Sequence, residues 1–154
     1  MSKATKIIFA AALVAFGAGA AVAESAAPTG VAAIKARQEI LKGFGKAAKP
    51  VGAMAKGEAP FDLAVVQNAL KTFAEGSKKL PGLFPDDSKE GGDTEALPRI
   101  WDEKAKFNAG YDKLAADSTA ALAAIKDEAS FKANAGKVFG DCKACHDDYR
   151  AKKK

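Results

Sequence analysis

Apolar residues recur at intervals of three and four in four separate stretches of this 154-residue chain, and glycine or proline punctuates the gaps between them. That interval is the period of a helix with one face turned inward. In the first stretch Val31, Ile34, Gln38, Leu41, Gly45 and Ala48 share a face, and Pro50 is expected to kink or end the helix in its last turns. Gly57 and Pro60 then break the chain. The second stretch opens at Asp62, a side chain suited to an N-cap, and carries Leu63, Val66, Leu70 and Phe73, with Gly76 and Pro81 closing it. Residues 81–97 hold two prolines and three glycines and form one long connection. An ordered loop of that length usually covers something. Pro98 suits the first turn of a third helix, whose face is Ile100, Lys104, Phe107, Tyr111, Leu114, Ser118, Leu122 and Ile125. The fourth begins near Asp127 and carries Phe131, Ala135, Val138, Cys142, Cys145 and Tyr149. Strand-like alternation is absent, and alanine stands where β-branched residues would be expected. The expected fold is all-α, an antiparallel up-down-up-down four-helix bundle.

The first residues read as an address. Lys3 and Lys6 precede an apolar run from Ile7 to about Ala20, and Ala21-Val22-Ala23 supplies a small-x-small cleavage pattern. The run is short for a bilayer span, which favours a cleaved signal peptide over residues 1–23 rather than an uncleaved anchor. Residues 24–154 would then form the single domain. Loss of Lys3 and Lys6 takes the formal charge from +5 to +3, too small a balance to imply nucleic acid. No later stretch is apolar and long enough to embed in a membrane.

The two cysteines of an exported chain would ordinarily pair as a disulfide. Their spacing argues for another use. In Cys142-Lys143-Ala144-Cys145-His146 two thiols lie one helical turn apart and an imidazole follows the second. Thioether attachment of one haem c needs that arrangement, with Cys142 and Cys145 bonded to its vinyl groups and His146 on the iron. The chain has a single histidine, and it occupies this position. A zinc site would need more ligands, and a thioredoxin-like site belongs at the start of a helix in a βαβ setting.

The opposite face of the iron decides the chemistry. No second histidine exists, and once Met1 leaves with the leader Met54 is the remaining methionine. If the first and fourth helices run antiparallel, Leu41 lies near His146, while Met54 lies roughly 20 Å farther along. Leucine cannot ligate iron, so the iron is expected to be five-coordinate beneath a small apolar pocket. No nucleophile–histidine–acid set and no phosphate-binding glycine motif is visible, so the chain is not expected to be an enzyme. A thiol–disulfide role for the two cysteines is the competing reading from another class.

The Arg37-Gln38 pair, the Gly57-Glu58-Ala59-Pro60-Phe61-Asp62 turn, the Ala96-Leu97-Pro98-Arg99-Ile100-Trp101 helix start and the segment from Cys142 to Arg150 together resemble cytochrome c′, the class II c-type cytochromes. The resemblance covers the whole chain after the leader. It implies a periplasmic four-helix homodimer with high-spin five-coordinate haem that binds nitric oxide and carbon monoxide and can transfer electrons to a redox partner not yet identified. A low-spin, six-coordinate branch of the family places methionine at the position matching Leu41, and this chain departs from it. The resemblance implies that Arg37 and Gln38 line the haem edge and contact its propionates. Thr94 and Glu95 would also approach the propionates, and Arg150 would stand near the proximal side. It further implies a dimer contact on the first two helices, where Ile40, Phe44 and Val65 are candidates.

Overall fold

In the computed structural model, residues 27–152 are described, and the leader expected over residues 1–23 lies outside them. Five helices follow one another: α1 Gly30–Ala55, α2 Leu63–Lys79, the short α3 Arg99–Asp102, α4 Lys104–Ala124 and α5 Glu128–Tyr149. Taking α3 and α4 as one arm, they make the expected antiparallel four-helix bundle. Among the described residues the sole strand-like feature is a single antiparallel bridge between Ala96 and Arg150.

Capping chemistry starts two of the arms where the sequence places them. Asp62 Oδ1 accepts the backbone N–H groups of Ala64 and Val65 at 2.9 and 3.1 Å. Asp127 accepts from Ser130 N at 2.8 Å while Ser130 Oγ accepts from Asp127 N at 3.1 Å, a reciprocal capping box. Satisfying otherwise orphaned donors in this way is worth about 1 kcal/mol per helix start.

The core divides into two clusters. One, built from Val51, Met54, Val66, Leu70, Phe73, Ile125, Phe131 and Val138, fills the end where α1 turns into α2 and α5 begins. Phe61, in that turn, stacks on Phe131 at 5.5 Å between ring centroids, so the end of α1 lies beside the start of α5. The other cluster holds Leu80, Phe84, Ile100, Phe107, Tyr111 and Tyr149, with Ile40, Leu41, Trp101 and Cys145 packed against it. Here the start of α1 meets the end of α5.

Three expectations need correction. Val31 is 47% exposed and outside the core, whereas Arg37 is buried, because the inner face of α1 runs through Ala33, Ile34 and Arg37. Pro50 lies inside α1, which runs about one turn beyond it to Ala55. The third helix is broken at Glu103, whose φ of −114° and ψ of 37° separate α3 from α4. Gly76 does not close α2. It lies inside that helix at a close crossing, where a Cβ would come within 2.3 Å of the Phe44 ring and 3.0 Å of Ile40.

Gly76→Ala is therefore expected to destabilise the protein by about 1–3 kcal/mol in urea unfolding, despite the better helix propensity of alanine. In a Phe44→Leu background the same substitution should cost distinctly less, since the ring is what the methyl group meets.

Ion pairs fasten α4 to α5. Lys113 reaches Asp117 at 2.7 Å and also binds Asp141, and Lys137 reaches Asp117 at 2.8 Å. The Lys113 and Lys137 hydrogen bonds hold the Asp117 carboxyl at about 2, down from its ordinary 3.8. A carboxyl depressed on folding stabilises the fold above its unfolded pKa, and that stability is lost as pH falls through the folded value. Denaturant midpoints should accordingly drop between pH 4 and pH 2, and Asp117→Asn should lower the pH 4 midpoint more than the pH 2 midpoint.

Candidate functional site

Cys142, Cys145 and His146 occupy the last two turns of α5, the two thiols half-buried and His146 exposed at the surface. Cys145 packs against the second cluster, which Leu41 reaches from α1. Leu41 is thus on the side of the bundle that carries the thiols. Met54 is buried in the first cluster, with Phe131. From Phe131 to His146 is about 22 Å of helix, so Met54 sits at the wrong end to meet the imidazole.

Burial pushes both thiols upward, with the Asp141 charge adding to the effect at Cys142, and Cys145 reaches about 11. The two are not bridged to each other, and burial shifts both away from the thiolate form. Thiol–disulfide enzymes need the opposite, a thiol whose pKa is depressed so that thiolate is present. His146 is shifted down, by burial first and by the Arg150 cation second, with Asp147 and Glu95 opposing. A neutral imidazole is the form that binds a metal. Among the described residues no group of three or more histidine, cysteine or acidic side chains gathers into a metal cage.

The donor set fits haem c. Two thiols share one helix face, an imidazole follows them, and an apolar cluster with Leu41 adjoins. α1 and α5 also pack on one another far less than α4 packs on either α2 or α5. The α1–α5 seam is therefore where a flat apolar ring system would interrupt the least packing.

Arg37 is the most elaborately held side chain at this end. It is 2% exposed. One terminal nitrogen donates to Leu83 O at 3.1 Å and Ser88 Oγ at 2.8 Å, and the other to Ser88 O at 3.0 Å and Thr94 Oγ1 at 2.9 Å. Its guanidinium carbon lies 4.4 Å from the centre of the Phe84 ring. Gln38 Nε2 donates to Asp93 O at 2.9 Å. The bonds of Arg37 and Gln38 thus run to the long connection, and Thr94, expected at the cofactor edge, is one of the partners of Arg37. Glu95 and Arg150 both lie at the end of α5. Ala151 N donates to Glu95 O at 2.8 Å, and Arg150 N to His146 O at 3.3 Å.

Sequence reasoning missed Ser88, Phe84 and Trp101 in this arrangement. Ser88 Oγ accepts from Arg37 and donates to Pro85 O at 2.8 Å. Trp101 Nε1 donates to the carbonyls of Phe84 and Pro85, both at 3.1 Å. The prolines and glycines of this stretch signal a turn-rich loop, but nothing in them signals that a buried arginine sits inside it.

Residues 32–150 match the family model described as Cytochrome C′. A cytochrome c′ from Rhodopseudomonas palustris is 59% identical over 141 residues, covering 92% of each chain. The solved structure of cytochrome c′ from that organism superimposes with a TM-score of 0.77 at 62% identity, over 79% of this chain and 98% of the other. A cytochrome c-556 from Agrobacterium tumefaciens is 40% identical over 119 residues, 77% of this chain and 94% of the relative. A nitric oxide complex of a mutant cytochrome c prime from Alcaligenes xylosoxidans superimposes with a TM-score of 0.68 at 28% identity, covering 80% and 98% of the two chains.

Proposed function

Since the chain belongs to the cytochrome c′ family, with haem c as its cofactor, we propose that it is a periplasmic protein with high-spin, five-coordinate iron that binds nitric oxide and carbon monoxide and carries single electrons. Haem c supplies an iron that cycles between ferric and ferrous and accepts a gas on its open side. Cys142 and Cys145 would fix the ring to α5, and His146 would ligate the iron from one face. Leu41 would cover the other face, excluding water and limiting the size of what enters. Gln38, Thr94 and Glu95 would stand near the polar edge of the ring, Arg37 beside them, and Arg150 would keep a positive charge near the His146 side.

The observation that carries this reading is the placement of Leu41 and Met54. A hydrocarbon side chain packs on the cluster that holds Cys145, and the one methionine of the described residues is buried at the other end. The nitric oxide complex of the Alcaligenes xylosoxidans relative supports the choice of gas. A second reading, a low-spin six-coordinate electron carrier, draws support from the cytochrome c-556 relative. Absorption and resonance Raman spectra of the ferric and ferrous protein, before and after carbon monoxide, separate the two. A five-coordinate ferrous spectrum that shifts with the gas is expected. A low-spin spectrum indifferent to the gas would establish the second reading.

Export rests on the leader expected over residues 1–23, and among the described residues no helix is long and apolar enough to cross a membrane. Homodimer formation would use the outer side of α1 and α2, where a groove of about 420 Å³ is lined by Gly43, Ala47, Pro50, Val65 and Thr72 among others. Val65 lines this groove, whereas Ile40 and Phe44 are turned toward Gly76 of their own chain. Sedimentation of the purified protein tests the assembly.

A further inference from the structure

The connection between α2 and α3 is tied down at both ends. On the α1 side, Arg37 makes its four bonds to residues 83, 88 and 94, Gln38 holds Asp93, and Gly30 N donates to Asp87 Oδ1 at 2.9 Å. On the α5 side, Leu97 N donates to Tyr149 O at 3.0 Å and Ala151 N to Glu95 O at 2.8 Å, flanking the Ala96–Arg150 bridge. That bridge lies one turn past His146, whose own carbonyl accepts from Arg150 N. Arg37 lies one turn before Leu41 on α1. The connection is therefore a strap from the helix of Leu41 to the helical turn of His146.

We propose that Arg37 is a positioning residue: its forked grip on residues 83–94 keeps the strap taut, and the strap fixes how far the His146 turn can move relative to Leu41. The inference rests on the reading of His146 as iron ligand. The side chain acts here through its shape. A planar fork with several donors reaches three residues of the strap at once, and a lysine ammonium in its place would keep the charge but lose the fork. A role limited to supplying positive charge near the cofactor carboxylates would survive that exchange.

The test uses the haem-loaded protein, with Arg37→Lys and the milder Ser88→Ala. Amide hydrogen exchange is read at Leu97 and Ala151, at the α5 end of the strap, and the iron–histidine stretching band is read by resonance Raman. For Arg37→Lys, exchange at Leu97 and Ala151 is expected to rise about tenfold, the effect of losing roughly one buried charged hydrogen bond, and the iron–histidine band is expected to shift. Ser88→Ala should move both readouts in the same direction by a smaller factor, and it decides the matter if the lysine variant does not fold. Unchanged exchange at Leu97 and Ala151, or faster exchange with an unmoved band, would overturn the proposal. Absence of the band from the unsubstituted protein would instead overturn the assignment of His146, and the exchange rates would still decide whether Arg37 tensions the strap.

Discussion

Leu41→Met is expected to convert the ferrous protein from the proposed five-coordinate, high-spin spectrum to a six-coordinate, low-spin one. Leucine and methionine have similar volume, and such exchanges usually cost less than about 1.5 kcal/mol, so the fold should persist. What changes is the donor set. A thioether replaces a hydrocarbon on the helix that faces Cys145 across the second cluster, and thioether sulfur is a ligand for haem iron. The effect on gas binding follows from competition. If the new sulfur closes the iron in about 99 of 100 molecules, the apparent affinity for carbon monoxide falls about 100-fold. Absorption spectra and a carbon monoxide titration measure both effects. An unchanged spectrum would mean that Leu41 lies off the iron axis.

The second large effect concerns attachment. Replacing Cys142 and Cys145 together by serine should abolish covalent haem, so that none stays with the chain on a denaturing gel, while either single variant keeps one thioether. The two single variants should differ in stability. Cys145 packs on the cluster of Phe107, Tyr111 and Tyr149, whereas Cys142 packs on the opposite cluster with Phe131 and Val138. Each would therefore tie the ring to a different cluster of the core. A cofactor that binds only the folded chain stabilises it by mass action, and covalent attachment makes that contribution independent of concentration. Thermal unfolding followed in the helical circular dichroism band should show the double variant melting lowest. Haem persisting on the denatured double variant would refute the assignment of both thiols.

The architecture and the attachment motif were legible in the residues because each rests on local spacing. Apolar periodicity, Asp62 and Asp127 define α2 and α5, and the five residues from Cys142 to His146 need only their own helix to be read. The misreadings share a different cause. Gly76 has the same letter whether it terminates a helix or lets another helix approach, and only the ring of Phe44, far off in sequence, distinguishes the two. The burial of Arg37 goes unread because the atoms that allow it lie 46 to 57 residues away along the chain. Ser88 is silent for the same reason. A buried polar group is decided by partners, and partners at long range leave no period in the sequence. The break at Glu103 is likewise invisible to periodicity, since Ile100, Phe107 and Tyr111 keep helical spacing across it and all point inward.

The crossing at Gly76 also bears on assembly. A glycine inside a helix costs about 1 kcal/mol relative to alanine. In return α1 and α2 lock at short range through the rings of Phe44 and Phe73, whose centroids are 5.3 Å apart. The two helices are thereby fixed against one another beneath their outer face. A partner meeting a face held in this way has little backbone ordering to impose, so the free energy of association is governed by shape fit and rim charges such as Lys46. If that face is the proposed dimer contact, Gly76 would serve assembly at a distance, its missing methyl group letting α1 and α2 present the groove already ordered.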